Sequence, residues 1–571
     1  MSTRLTSVDR LDCVLEGKYD AVSAHTQMPL HWLRSLTTLL IQRNWLCWMS
    51  SRTSSTLRQA LHARLLPYTV ILLIAWAPYL TLIWPGALRD DTLAQYLQTV
   101  GLHRYYTQHP LFDTLIFGLF WRLGDVFGSP LIGEAIYTTV QVLLLAAGCS
   151  LILCYIRKLG APRWLRTIGL IYLATSYVVV GAVGTMGKDS LHTVFFLPAA
   201  VLFVETCVTR GRVLVRQPVA VAFTVVLFAT IASKRTALVI VICAGVCLLL
   251  TCDRGRRRRR AAYCLVLAIV FAQVVFAPIA AAATHANHSP SREVWGIVTQ
   301  PVTQVARDYP SDISQDQRAA LDAIMNLDRA TLEMKPYRSN ETFQTLRTDP
   351  SPSASDRFAA LRVWAQLGFA YPGEYLKAWS GPIRGWWDPR VNFAYPTDSD
   401  YLLRGGYLRQ WATFLPEDAG ILHDGIATRN AEDIADADTR AALRVAQIAH
   451  DLAPLMGTSH KPQWQRDMLE HIRHWVRDNN LLTAMALYVT WIPLLTGLIL
   501  LIQTIMERRR LHRDTSGVSA YPSGRCAAFS LLVFTILSLY ASPEALFWYP
   551  IPVFCSLPLF TALPFYTHNK L

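Results

Sequence analysis

The sequence predicts an all-α polytopic membrane protein. Of its 571 residues, 52% are hydrophobic and 16% are charged, and the mean hydropathy is +0.26. Several apolar runs approach the roughly 20 residues that a helix needs to cross a bilayer. Basic residues gather in short clusters between these runs, as in loops that follow the positive-inside rule. We expect about ten transmembrane helices, two external juxtamembrane helices after the first span, and a mostly α-helical external domain.

Composition and motifs argue against several classes of protein. The net charge of +14 would suit a nucleic-acid partner. The basic residues are not spread over a soluble face, however, so we predict no binding to nucleic acid. The outer regions carry no Walker lysine motif, no HExxH and no GxSxG, which are the signatures of ATP-driven transport, zinc proteolysis and serine hydrolysis.

The N-terminal region, residues 1–65, is polar and basic and is predicted to be cytoplasmic. Its Trp-rich amphipathic stretch, residues 30–48, suits the inner membrane surface, while a partner-binding or disordered tail is an equal alternative. The first span is predicted at 66–84. Arg58, His62 and Arg64 precede this span and place its N-terminus in the cytoplasm.

The external loop 85–129 is predicted to carry two surface helices. Its second apolar run, 110–127, is long enough to be mistaken for a span. If it crossed the membrane, the basic loop 156–163 would lie outside, against the positive-inside rule. We therefore interpret the run as an amphipathic surface helix with Asp113, Arg122 and Asp125 facing water.

The remaining spans form two groups, separated by a long polar domain. A first module, residues 66–283, contains the first span and those listed next: 130–155, 164–185, 188–207, 218–232, 236–252 and 261–283. A long polar domain, residues 284–480, is predicted to be external. The C-terminal spans, within 481–571, are 481–505, 523–541 and 545–565, which leaves the C-terminus in the cytoplasm.

The polar domain is predicted to be mostly helical. Residues 355–370, 436–452 and 464–478 carry apolar residues at mixed three and four spacing, which is typical of helices. Alternating runs long enough for a sheet are missing. The domain also contains no cysteine, so we expect no disulfide in it.

Two adjacent acids, Asp90 and Asp91, follow the first span. Asp91 and Gln95 are four residues apart and would share one face of a short helix. A carboxylate there can act as a general base toward an incoming hydroxyl. Asp90 is expected at the N-cap, and the alternative is that both aspartates only cap the helix.

Cationic groups and a histidine extend the candidate site. Lys188, beside Asp189, and Lys234, beside Arg235, lie at the predicted outer face and break the charge rule. They could bind an anionic headgroup, or they could simply reach toward the interface. His109 precedes a proline that suits a helix start, and it could instead hold an acceptor or phosphate group.

Aromatic residues in the polar domain are the last candidates. Tyr375, Trp386 and Trp387 lie in segments where aromatic rings stand near polar groups. Aromatic faces stack on sugars, but tryptophan near a membrane also forms interface belts. Both interpretations stay open.

The order of these motifs resembles the GT-C superfamily of membrane glycosyltransferases, which includes protein O-mannosyltransferases and the lipid A aminoarabinose transferase. Members carry a catalytic acid in the first external loop, followed by two surface helices. The pattern is most similar to a group of uncharacterised bacterial GT-C-like proteins, in which the acid six residues after a proline, here Pro85, corresponds to Asp91. The elements of the pattern are Pro85-Gly86, Asp91, Gln95, His109-Pro110, Lys188-Asp189 and the aromatic segment Tyr371 to Trp387.

The resemblance implies a multi-pass protein of the bacterial plasma membrane, in contact with membrane lipids. The expected donor is a sugar linked to polyprenyl phosphate, and the acceptor is an envelope glycan, lipid or protein. Asp91 would be the general base, with Lys234, Arg235 and Lys188 on the phosphate. The Asp-Asp pair departs from the Asp-Glu of mannosyl- and arabinosyl-type relatives, which leaves the role of Asp90 open.

Cofactor dependence and two other functions stay open at this stage. Some members of the superfamily use a divalent metal ion and others do not. A transporter or flippase of lipid-linked sugars would use the same cations without needing a base at Asp91. A membrane scaffold whose polar domain binds other proteins would need neither.

Overall fold

The computed structural model describes residues 55–289, 292–347, 351–391, 399, 402, 431–452, 461–478, 480–513 and 524–566. The predicted amphipathic stretch 30–48, most of the region 1–65 and the extreme C-terminus lie outside the described residues. Described residues are predominantly helical, as predicted.

The first module is built from helices joined by short connections. They are α1 (Ser55–Ile83), α2 (Asp90–Thr99), α3 (Leu111–Val126), α4 (Pro130–Lys158), α5 (Arg163–Thr175), α6 (Tyr177–Val183), α7 (Lys188–Val208), α8 (Gln217–Ala232), α9 (Arg235–Thr251), α10 (Arg256–Val270) and α11 (Ala277–Thr284). A π-helical turn, Phe271–Phe276, joins α10 to α11, and a 3₁₀ turn, Arg212–Val215, precedes α8.

The polar domain is helical in its described parts, as predicted. Its helices are α12 (Gly296–Asp308), α13 (Gln315–Asp322), α14 (Leu327–Glu333), α15 (Asn340–Gln344), α16 (Ala354–Ala370), α17 (Pro372–Ser380), α18 (Arg384–Trp387), α19 (Ala431–Asp451) and α20 (Gln463–Asp478). Short 3₁₀ turns lie at Glu293–Trp295 and Pro310–Asp312. One hydrophobic core, which includes Val302, Leu321 and Leu367, joins α12, α13 and α16.

The C-terminal part contributes α21 (Asn480–Thr483), α22 (Ile492–Arg513), α23 (Arg525–Tyr540) and α24 (Ile551–Thr561). A π-helical turn, Leu487–Trp491, opens α22, and a 3₁₀ turn, Leu563–Phe565, follows α24.

Five helices in the described part of the chain are long and apolar enough to cross a membrane: Leu65–Ile83, Pro130–Lys158, Lys188–Val208, Arg256–Thr284 and Leu487–Glu507. The pair α5 and α6, bent by 48°, would make a sixth if it forms one span. The other predicted spans are apolar helices of 10–17 residues. Every predicted span therefore coincides with apolar helix, while five or six of them have the length of a full crossing.

Helix α7 lies at the centre of the first module. Its most apolar window is 89% buried, whereas the corresponding windows are 28% buried in Leu65–Ile83 and 22% buried in Leu487–Glu507. A buried helix of this kind can carry polar side chains without exposing them to hydrocarbon. The position of α7 matters because Lys188 and Asp189 form its first turn.

The surface helix α3 folds back along α4 through a close approach of two glycines. A Cβ atom added to Gly124 would lie 2.4 Å from the backbone nitrogen of Gly133, and one added to Gly133 would lie 2.0 Å from the backbone oxygen of Phe120. Small residues permit such backbone contact. The loop 85–129 thereby forms two helices, as predicted, although α3 begins at Leu111 with Pro110 as its N-cap.

Candidate functional site

A short strand pair brings the starts of α2 and α7 together. Strand β1 (Ala87–Leu88) pairs in parallel with β2 (Thr185–Met186), with Ala87 opposite Thr185 and Leu88 opposite Met186. These strands were not predicted, because each has only two residues and so gives no alternating pattern. Since α2 and α7 start just after the two strands, their first turns lie side by side.

The first turn of α2 contains both predicted catalytic acids. The N-cap is Arg89, in extended conformation, and the helix begins at Asp90. The prediction that Asp90 is the N-cap was therefore wrong. Thr92 fixes this turn to the other strand, because its hydroxyl donates to the backbone oxygen of Met186 at 2.6 Å.

Asp91 is paired with Lys188 at the heart of the site. The Nζ atom of Lys188 donates to Oδ2 of Asp91 at 2.5 Å. Nε2 of His109 lies 3.8 Å from Oδ1 of Asp91, which is too long for a hydrogen bond. The Asp91 side chain is 34% exposed, so one face of this carboxylate can be reached from outside.

The surroundings of Asp91 and His109 determine whether each side chain is charged. Burial raises the pKa of Asp91, but the Lys188 ammonium and His109 lower it more, so that the pKa falls to about 2. Burial lowers the pKa of His109 to about 4, against the opposing effect of Asp91. At neutral pH the site thus holds an ionised aspartate beside an uncharged imidazole.

A second ion pair lies next to the first. Nζ of Lys234 donates to Oδ1 of Asp189 at 2.5 Å and to the backbone oxygen of Tyr549 at 3.2 Å. The Asp189 side chain is 2% exposed, and the Lys234 side chain is 16% exposed. A buried charge whose partner is removed strongly destabilises the folded protein, so the two side chains depend on each other.

Arg235 lies near the same site but makes different contacts. Its Nη2 atom donates to the backbone oxygen of Thr107, in the loop that precedes His109. It also interacts electrostatically with His109 and with Glu293 at the start of the polar domain. Arg235 therefore stands between the candidate site and the polar domain.

Asp113 belongs to the site, although it was predicted to lie elsewhere. It was predicted to face water together with Arg122 and Asp125, and those two are exposed. Asp113 is instead fully buried, and neither carboxylate oxygen has a hydrogen-bond partner among the described residues.

The surroundings of Asp113 favour its protonated form. Burial raises its pKa well above the ordinary range, and the Asp189 carboxylate acts in the same direction. Lys188 and Lys234 act in the opposite direction and with less effect. We refer to six residues as the charged cluster: Asp91, His109, Asp113, Lys188, Asp189 and Lys234.

Gln95 and Asp90 border the charged cluster without joining its ion pairs. Gln95 is buried, and its Nε2 atom donates to the hydroxyl of Thr114 at 3.0 Å, which ties α2 to α3. Asp90 interacts electrostatically with Glu544, in the turn after α23. The contact of Gln95 indicates a positioning role, whereas that of Asp90 is a repulsion between two carboxylates.

The three predicted aromatic residues lie in the polar domain and pack it against the C-terminal helices. The Trp386 ring is fully buried and donates from Nε1 to the backbone oxygen of Leu539 at 2.9 Å. The backbone oxygen of Trp387 accepts from Trp491 at 3.0 Å. Tyr375 is half-buried and lines a cavity described below. The described contacts do not bring these rings into the charged cluster.

The described residues contain no group of three or more histidine, cysteine, aspartate or glutamate side chains that could hold a metal ion. The arrangement instead offers charge and hydrogen bonding. It can hold an anion near Lys188 and Lys234, and it can accept a proton at Asp91.

The fold and the site define a largely helical protein with helices of membrane-spanning length and a charged cluster where two of its helices begin. The chain belongs to a family of unknown function, DUF6020, which matches residues 92–418, more than half of its length. The match begins one residue after Asp91 and includes the rest of the charged cluster. A comparison with curated proteins finds no match.

Proposed function

We propose that the protein is a GT-C-type glycosyltransferase of the bacterial plasma membrane. It moves a sugar from a polyprenyl-phosphate-linked donor to an envelope acceptor, with about ten spans and the polar domain on the outer side. The observation that carries the proposal is the partly exposed, ionised carboxylate of Asp91 beside Lys188. Such an acid can face a hydroxyl while a cation next to it meets a phosphate.

The proposed reaction inverts the anomeric carbon. An acceptor hydroxyl gives its proton to Asp91 while its oxygen forms a bond to the anomeric carbon. The bond from that carbon to the phosphate oxygen breaks, and its electron pair leaves with the polyprenyl phosphate. Lys188 and Lys234 stabilise the charge that develops on this leaving group.

The ion pair between Lys188 and Asp91 links binding of the donor to the basicity of Asp91. With Lys188 bound, Asp91 has a pKa of about 2 and is a weak base. A donor phosphate competes for the same ammonium, and each weakening of the ion pair raises the pKa of Asp91 toward the range of an effective base. Sugar transfer is therefore favoured only after the donor has bound.

Substitution of Asp91 tests the proposal. Purified protein in lipid vesicles is given the radiolabelled lipid-linked sugars and the acceptor fraction extracted from the native membrane. We expect Asp91→Asn to lower the transfer rate by about 10²- to 10⁴-fold, the usual contribution of a general base. Asp125→Asn is the matched control, because Asp125 is an exposed acid of the same loop.

Two outcomes would contradict the proposal. Transfer by Asp91→Asn at the rate of the control would remove the base from the mechanism. If the donor lipid moved between the two leaflets of the vesicle membrane without any acceptor, and at the same rate in Asp91→Asn and Asp125→Asn, the result would favour a flippase. One observation favours this second function. The carboxyl of Asp113 is buried and has no hydrogen-bond partner among the described residues, and such groups also occur in ion and proton pathways.

A further inference from the structure

A cavity of about 340 Å³ lies away from the charged cluster, between the polar domain and the end of α23. Its wall is formed by α12 and α17 on one side and by residues 540–543 on the other. The volume falls in the lower part of the range of ligand-binding cavities, roughly 300–1,000 Å³. None of the roles assigned above uses this space.

The wall is rich in aromatic rings, and the polar atoms of three of these residues, Trp364, Tyr375 and Tyr540, are already hydrogen-bonded. Trp364 donates from Nε1 to the backbone oxygen of Ile297 at 3.2 Å, and the hydroxyl of Tyr375 donates to the backbone oxygen of Trp364 at 2.5 Å. The hydroxyl of Tyr540 lies 2.7 Å from that of Thr490. These rings consequently offer apolar surface to the cavity.

Two further polar side chains of the wall are also engaged. Nε2 of Gln300 donates to the backbone oxygen of Lys335 at 2.8 Å, and the hydroxyl of Ser339 donates to the backbone oxygen of Pro543 at 3.2 Å. A sugar ring carries several hydroxyls, and those beyond the one or two that Glu293 can accept would stay without hydrogen bonds, at a cost of about 1–3 kcal/mol each. A hydrocarbon chain meets no such cost.

The mouth of the cavity is continuous with the apolar face of the C-terminal helices. Leu376 and Trp379 at the mouth are 61% and 46% exposed. The rings of Trp379 and Tyr540 are 6.4 Å apart, and Tyr540 reaches Thr490 at the start of the membrane-length helix Leu487–Glu507. A hydrocarbon chain can thus enter sideways from a bilayer.

One carboxylate in the wall indicates which lipid fits. Glu293 lines the cavity and interacts electrostatically with Arg235, beside the charged cluster. A phosphate-bearing headgroup would be repelled by this carboxylate, whereas a hydroxyl can donate to it. The wall therefore suits an uncharged lipid with hydroxyl groups better than the phosphate-linked donor.

We propose that the cavity holds a hydrocarbon chain of the acceptor, which makes the acceptor a membrane lipid with an uncharged, hydroxyl-bearing headgroup. The role of this lipid as acceptor rests on the proposed function. Binding of its chain does not, so the two can be tested separately.

Photo-crosslinking tests the binding. The full-length protein is reconstituted in phosphatidylcholine vesicles that contain diacylglycerol with a diazirine in one acyl chain, and labelled peptides are mapped by mass spectrometry. We expect labels within 296–301, 372–382 and 540–543. Ala541→Trp, which fills the cavity from an exposed position, should reduce the labelling of these segments about tenfold. A tenfold decrease corresponds to excluding about two methylene groups of the acyl chain from the cavity.

Two variants separate loss of the site from misfolding. Leu376→Glu places a charge at the mouth and should also reduce the labels, while Ala319→Trp, at an exposed position of α13, should leave them unchanged. Unchanged labelling in both cavity variants overturns the proposal. So does stronger labelling of the same segments by a diazirine-bearing polyprenyl phosphate, because the cavity would then belong to the donor.

Asp91→Asn distinguishes this inference from the proposed function. It should lower the transfer rate by about 10²- to 10⁴-fold and leave the diacylglycerol labels intact. Labels in an unmodified protein that shows no transferase activity would refute the proposed function and leave the lipid site. Transfer that proceeds normally in Ala541→Trp and Leu376→Glu would refute the inference alone.

Discussion

Lys188 and Asp91 form a 2.5 Å ion pair although 97 residues separate them in the chain. The parallel pairing of β1 and β2 creates this contact, because it aligns the first turns of α2 and α7. The pair keeps Asp91 ionised and only weakly basic, with a pKa of about 2. An anion that binds Lys188 would therefore change the basicity of Asp91.

The first prediction concerns the pH dependence of transfer by Lys188→Gln. Lys188 lowers the pKa of Asp91, so its removal leaves burial to raise that pKa. Asp91 must be ionised to accept a proton, and the acid limb of kcat/KM should therefore move to higher pH in the variant. The measurement is the pH profile of kcat/KM for the donor, together with its KM, which should rise.

The control for this experiment is Lys377→Gln. Lys377 is 70% exposed in α17 and pairs with Glu374. Its loss should change neither the acid limb nor the KM. An acid limb that stays in place in Lys188→Gln would show that Lys188 does not control Asp91.

The sequence alone predicted the helical elements well. Long apolar runs fold most simply as membrane-length helices, so α4, α7 and the apolar part of α1, Leu65–Ile83, lie close to the predicted bounds. Helix α1 itself begins earlier, at Ser55. Three helices of the polar domain, α16, α19 and α20, were predicted too, because their apolar residues recur at three and four spacing, whereas its other helices were not predicted individually. The number of full crossings was harder, since α8 and α9 are apolar but short.

The site was only partly predictable, for a physical reason. Asp91 and Lys188 could be named from their places near apolar runs, but their pairing depends on two-residue strands without any periodic signal. Asp113 was placed on the wrong face because a charged residue in an amphipathic helix normally faces water. Its burial depends on the packing of α3 against α4 and α7.

The second prediction concerns the buried pair of Lys234 and Asp189. Lys234→Met leaves the Asp189 carboxylate buried without its cation, which typically costs about 3–5 kcal/mol of unfolding free energy. The double variant Lys234→Met/Asp189→Asn removes both charges and should be more stable than the single one. Thermal unfolding in detergent measures the order of stability.

The exposed pair of Arg318 and Asp328 provides the comparison for that cycle, since the two side chains are 44% and 77% exposed. An exposed ion pair usually contributes about 0–1 kcal/mol. Arg318→Met should therefore hardly change the unfolding temperature. If Lys234→Met were equally harmless, Asp189 would have another source of stabilisation in the folded protein.

The third prediction is a pH-dependent stability that arises from Glu544. Burial raises the pKa of this side chain from 4.5 to about 7, with opposing effects of Arg338 and Lys335 and supporting effects of Glu341 and Asp90. The folded protein thus prefers protonated Glu544. Its stabilising contribution is complete below pH 4.5 and is lost as the pH rises through 7.

Glu544→Gln should remove this pH dependence. The amide stays uncharged, so the decline of the unfolding temperature between pH 4.5 and 7 should become flatter than in the unmodified protein. Glu333→Gln, at a 45% exposed position paired with Arg329, is the matched control. A decline of the same steepness in Glu544→Gln would assign the pH dependence to another group.

The last prediction assigns Asp113 a role as an uncharged hydrogen-bond donor. The carboxyl is fully buried, its pKa is raised well above the ordinary range, and both oxygens are without a hydrogen bond among the described residues. It interacts electrostatically with Lys188 and Lys234. A protonated carboxyl there can donate to a phosphate oxygen held between the two ammonium groups.

Two substitutions of Asp113 separate donation from proton transfer. Asp113→Asn keeps an uncharged donor, so kcat and the donor KM should stay within a few-fold of the unmodified values. Asp113→Leu removes the donor and should raise the donor KM by about 10- to 100-fold, as expected for a lost hydrogen bond to a charged group. A fall of kcat in Asp113→Asn at constant KM would mean instead that Asp113 transfers a proton, because the amide can donate a hydrogen bond but cannot exchange the proton of a carboxylic acid.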